Sequence, residues 1–203
     1  MTLKVLLCAA FVCSARIFAQ AVAPVGDAVY QLRYFANLNI ADSVINFTNS
    51  GALNGADPAG RLCANVFVFD ATSDMVSCCA CPLVPNGLSS LSVKDDILSN
   101  TLSPAVPTSV TVKVISTVPV AGACNPKSVL STNLARGMIV WGATVRATKL
   151  TTPPVTLFTG TETEFAKGEL SATELAKLTT SCNFIQTNGS GFGVCRSCRL
   201  GGK

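Results

Sequence analysis

The residues able to do chemistry are mostly cysteines, in two close sets, Cys78-Cys79-Ala80-Cys81 and Cys195-Arg196-Ser197-Cys198. Four thiolates at knuckle spacing suit zinc or an iron–sulfur cluster. A Cys-x-x-Cys pair also suits thiol–disulfide exchange, which needs a helix N-terminus behind the pair to lower a thiol pKa. Arg196 and Arg199 are favourable charges there, but the glycine-rich Leu200–Lys203 offers no such helix. The third use is structural bridging. Adjacent cysteines rarely bond each other, because a disulfide sets its Cα atoms about 5.5 Å apart and the connecting peptide strains that geometry. Cys78 and Cys79 are therefore expected to face opposite ways and reach different partners.

Other reactive groups are sparse. The chain has no histidine, which removes Ser-His-Asp and Cys-His catalysis and the usual catalytic zinc ligands. Eleven acidic residues are scattered. Asp70 and Asp74 in one turn offer hard oxygen ligands for calcium without the EF-hand pattern. Trp141, Tyr30 and Tyr34 would suit a sugar-binding face, yet each sits on the apolar side of its strand pattern, which favours core packing. Asn46-Phe47-Thr48 and Asn188-Gly189-Ser190 match the glycan acceptor pattern and read as coincidence. No catalytic residue, cofactor or metal is assigned.

Compartment decides among the cysteine readings. Lys4, the apolar run Val5–Cys13 and the small-x-small Ala19-Gln20-Ala21 read as a signal peptide over 1–21, cleaved after Ala19 or Ala21. The run is too short for a bilayer span of about 20 apolar residues. The mature part, 22–203, reads as one domain. Of ten cysteines, Cys8 and Cys13 leave with the leader. An even set remains: Cys63, Cys78, Cys79, Cys81, Cys124, Cys182, Cys195 and Cys198. In an exported chain these are disulfide candidates, and spacing does not fix their pairing. At least one of Cys195 and Cys198 is expected to reach the Cys78–Cys81 cluster or Cys182, since a bridge between the two alone would leave the tail free. Without Lys4 and Arg16 the net charge falls from +4 to about +2, too little for a nucleic-acid partner.

The elements that must position the cysteines are mostly strands. Leu62–Phe69 is apolar on both faces, as expected inside a packed sheet. The Cys78–Cys81 cluster is placed in a loop after the Asp70–Asp74 turn. Tyr30–Leu38, Ser43–Asn49, Leu88–Val93, Ser109–Ser116, Met138–Thr148 and Val155–Thr159 complete about seven strands without alternating helices, an Ig-like antiparallel β-sandwich. In the first, Tyr30, Leu32 and Tyr34 are expected inward, opposite Gln31 and Arg33. Lys94–Leu102 has room for a helical turn. One C-terminal helix is expected near 171–182: Ser171 and Glu174 form a capping box, Leu170 and Leu175 a hydrophobic staple. Ala172, Leu175, Leu178 and Cys182 form its inward stripe. The tail 187–203 is too rich in glycine for a helix and needs its cysteines to be ordered.

The blocks Leu62–Val93 and Leu170–Arg199 resemble a family of uncharacterised secreted, cysteine-rich proteins from environmental bacteria. The resemblance covers the mature chain and implies export; it carries no activity, ligand or catalytic residue. The expectation is a secreted or cell-surface (or periplasmic) structural or adhesive protein without catalysis, open to self-association or an extracellular partner. A carbohydrate or small-ligand module and an exported thiol oxidoreductase using Cys195 and Cys198 are the alternatives.

Overall fold

In the computed structural model, residues 28–51 and 57–196 are described. The expected leader and Cys198 lie outside them. Among the described residues, nine strands form two antiparallel sheets. The strands are β1 (Tyr30–Phe35), β2 (Ser43–Asn49), β3 (Leu62–Phe69), β4 (Met75–Leu83), β5 (Leu88–Ser92), β6 (Val110–Thr117), β7 (Met138–Thr151), β8 (Pro154–Glu164) and β9 (Ala166–Lys167). One sheet has the order β4-β3-β6-β1-β9, the other β5-β2-β7-β8. Of the six passages between the sheets among the described strands, one runs from β1 to β2 and another from β6 to β7. β1 pairs with β6 and β2 with β7, so the two crossings interlock at the centre. Phe165 closes one end, its ring 5.9 Å from that of Phe35.

The main core fills the space between the sheets, with Phe35, Ile45, Phe47, Val66, Val112 and Val140 among its buried members. A second core lies outside the five-stranded sheet. There the helix α1 (Ala172–Thr187) lays Leu178, Cys182 and Ile185 over Tyr30, Phe67, Phe69 and Ile115. This second layer explains the doubly apolar β3, which is buried at every position. Ala64, Val66 and Val68 belong to the inner core, Phe67 and Phe69 to the outer one.

β1 has the expected period but the opposite facing. Phe35 enters the inner core, and Gln31 and Arg33 reach across it to β7. Gln31 Nε2 donates to Met138 O at 3.0 Å, and Val140 N donates to Gln31 Oε1 at 3.2 Å. Arg33 Nη1 donates to Gly142 O at 2.5 Å. Tyr30 is buried on the outer side, while Tyr34 is 62% exposed. Alternation fixes which residues share a face; a helix arriving from far along the chain decides which face is covered.

The largest correction concerns Cys78, Cys79 and Cys81. They lie on β4, not in a loop. β4 is an edge strand bonded to β3, so Pro82 withholds its missing N–H from the ladder at no cost. The free side of β4 is covered by irregular chain: Leu102 N donates to Val76 O at 2.9 Å and Cys78 N to Gly193 O at 2.8 Å. Between β5 and β6 the expected turn is a short π-helical one, Val93–Ile97, capped by Ser92.

The C-terminal helix runs five residues beyond its expected end, to Thr187. Glu174 N donates to Ser171 Oγ at 3.1 Å, half of the expected box. The Glu174 carboxylate turns instead to Lys113 Nζ on β6, at 2.6 Å. Leu170 and Leu175 both pack on the outer core, but Ala172 is exposed.

Candidate functional site

The cysteines converge on one edge of the molecule. On β4 successive side chains point to opposite sides, so Cys78, opposite Phe67, faces the helix layer and Cys79, opposite Val66, faces the inner core. Cys78 bonds Cys182 in α1, with Cα atoms 5.8 Å apart. Cys79 bonds Cys195 in the tail, with Cα atoms 5.5 Å apart. Cys63 on β3 bonds Cys124 in the loop between β6 and β7. Cys81 is also disulfide-bonded. The expectation of different partners for Cys78 and Cys79 holds, as does that of a tail cysteine reaching the cluster.

Two readings of the sulfur chemistry change accordingly. Cys195 is bonded to Cys79 and fully buried. It is therefore not paired with Cys198, and an exchange reaction at Cys195–Cys198 lacks its exposed disulfide. Bonded sulfurs are also not the thiolates that zinc requires. Among the described residues, no three Cys, Asp or Glu side chains are grouped to hold a metal ion.

Asp70 and Asp74 sit together, and their turn engages one oxygen of each. Asp70 Oδ1 accepts from Thr72 N at 2.9 Å and Asp74 N at 3.0 Å. The Thr72 hydroxyl lies 2.8 Å from Asp70 Oδ1 and 3.1 Å from Asp74 Oδ2. Burial works to raise the Asp70 carboxyl, and the hydrogen bonds from Thr72 and the Asp74 amide outweigh it, so its pKa lies below the ordinary value.

This turn forms one wall of a cleft of about 660 Å³ beside the helix. Met75, Val76, Leu102 and Ile185 make its apolar lining, and Thr180, Ser181 and Phe184 line the helix side. Phe184 is 64% exposed. Sequence pattern missed this cleft because its parts come from the β3–β4 turn, the chain before β6 and the far half of α1. The single legible signal was Phe184 on the polar side of the helix.

The aromatic trio does not form a sugar platform. Tyr30 and Tyr34 belong to one sheet and Trp141 to the other, and Tyr30 is buried under the helix. The two glycan-like asparagines have local partners: Asn46 Oδ1 accepts from Ser90 Oγ at 2.6 Å, and Asn188 Oδ1 from Ser190 N at 2.8 Å.

A surface of another kind lies at the far sheet edge. β2 pairs with β7 only as far as Thr144. Beyond it β7 and β8 continue as a two-stranded arm from Val145↔Gly160 to Thr151↔Pro154. β8 is exposed at every position. Among the described residues, no helix is long and apolar enough to cross a membrane. No protein-family model, curated protein or solved structure matches the chain, so what these surfaces do is read from their own geometry.

Proposed function

We propose that this protein is an exported, non-enzymatic building block that serves a structural or adhesive role outside the cell, at its surface or in the periplasm. The observation that carries this reading is the bridge set. Strand, helix, loop and tail are cross-linked by three disulfides in the described chain, five of whose six cysteines are buried. Such bridges form and persist in oxidising compartments. The 1–21 leader and the resemblance to secreted proteins of environmental bacteria point the same way. For the fold, we infer an Ig-like sandwich. The interlocked β1–β6 and β2–β7 pairs and the β7–β8 hairpin support this, with β9 beside β1 where an N-terminal strand would lie.

The test is N-terminal sequencing and thiol counting on protein recovered from the medium or the periplasm. A start at Gln20 or Val22 with no free thiol is expected. A protein retained in the cytoplasm, reduced and beginning at Met1, would overturn export.

A second reading is favoured by the cleft beside α1. Its apolar lining and two carboxylates suit a small cationic amphiphile rather than a sugar. Thermal-shift screening of such ligands against wild type and Phe184→Ala decides it: a shift in wild type that the variant loses supports a binding module, and no shift rejects it.

A further inference from the structure

The β7–β8 arm is built against the usual rules for an exposed edge. Strands that end a sheet are commonly guarded by lysine, proline or a bulge. β8 ends its sheet, yet from Val155 to Thr161 it carries no charge and no proline. Its exposed apolar residues include Val155 at 43%, Leu157 at 46% and Phe158 at 65%. An isolated two-stranded ribbon is marginally stable in water, and seven-residue VTLFTGT is rich in strand-forming types. Among the described residues nothing pairs with its outer edge.

We infer that β8 is a self-pairing edge: two copies of this chain join antiparallel along β8, about a twofold axis at Thr159. This rests on the structural-building-block reading and names its partner. The self-complementarity is in the sequence. In that register Phe158 lies opposite Gly160 of the second copy, and a Cβ built on Gly160 meets nothing within 4 Å. An aromatic ring laid over a cross-strand glycine shields otherwise bare backbone. Leu157 lies opposite Thr161 of the second copy, on the other face.

Charge follows the same symmetry. The arm carries Arg146 near its base and Lys149 toward its tip and no acid, whereas β8 below the arm carries Glu162 and Glu164. Lys149 is the rung partner of Thr156, and Thr156 lies opposite Glu162 of the second copy. Lys149 and that Glu162 then share one face two strand spacings apart, about 10 Å, within reach of two extended side chains. The twofold repeats this pair. A parallel pairing would set the basic tips side by side instead. Closed twofold contacts of this kind are the commonest route to a dimer.

The test is analytical ultracentrifugation of the oxidised full chain with cysteine cross-linking. Wild type is expected to sediment as a concentration-dependent dimer, and Phe158→Glu as a monomer whose thermal unfolding matches that of dilute, monomeric wild type. Thr159→Cys lies on the axis, so it should give a covalent dimer under mild oxidation, while Thr163→Cys should not. A wild type monomeric at all concentrations, open-ended fibres, or equal cross-linking at both positions would each overturn the pairing. None of these outcomes bears on export or on the native bridges, which the thiol count and N-terminus decide separately.

Discussion

Cys78 and Cys79 are neighbours in β4, yet their sulfurs end on opposite faces of the sheet, bonded to Cys182 in the helix and Cys195 in the tail. The strand pleat does the sorting. One dipeptide thereby fastens the outer layer and the C-terminal segment to the same edge strand. Sequence separations of 104 and 116 residues place both bridges among those that restrict the unfolded chain most.

Non-reducing peptide mapping should therefore return Cys63–Cys124, Cys78–Cys182 and Cys79–Cys195. Replacing Cys79 and Cys195 together by alanine should cost about 2–5 kcal/mol in denaturant unfolding and expose the tail to protease. Unchanged stability would mean that the bridge does not form in solution.

Much of this arrangement was legible because pleat and covalent geometry act locally. The doubly apolar β3, the Ser171 cap and the split of the vicinal cysteines needed no tertiary knowledge. β4 was missed because Pro82 reads as a break unless the strand is known to be an edge. The facing of β1 was inverted because Gln31 and Arg33 look like solvent residues until β7 presents its carbonyls to them. The arm at β7–β8 was underestimated for a third reason. Its length is set by pairing with itself beyond the end of β2, and periodicity does not report where a neighbouring strand stops.

Gln31 is a tie between the sheets, and it is 1% exposed. Gln31→Leu keeps the volume but strips a donor from Met138 O and an acceptor from Val140 N. Leaving one buried polar group unpaired costs about 1–3 kcal/mol, so the variant should lose at least about 2 kcal/mol in urea unfolding. A loss within error of zero would show that water replaces the side chain.

Ser171→Ala removes the acceptor for Glu174 N at the start of α1. A loss of about 1 kcal/mol is expected. Because the Glu174 carboxylate is held by Lys113 rather than by the cap, Glu174→Gln should leave the Ser171 effect intact. A double-mutant cycle with coupling near zero is the expected outcome; strong coupling would mean that the reciprocal box forms after all.

Tyr30 is pressed between β1 and the helix, and burial, aided by the Glu174 charge, pushes its phenol up to about 12 from 10.0. The folded state thus holds this proton more tightly than the unfolded chain does. The associated stability is present below the unfolded value near 10.0, falls as pH rises past it, and is lost by about 12. Ultraviolet titration of the folded protein should show a tyrosinate step delayed to about pH 12, absent in Tyr30→Phe. Alkaline unfolding of the wild type should steepen over the same interval. Glu174→Gln offers a further check, since it removes the charge that aids burial in raising the phenol and should move the step lower. A single tyrosinate transition near 10.0 in both wild type and Tyr30→Phe would show that the helix does not cover Tyr30 in solution.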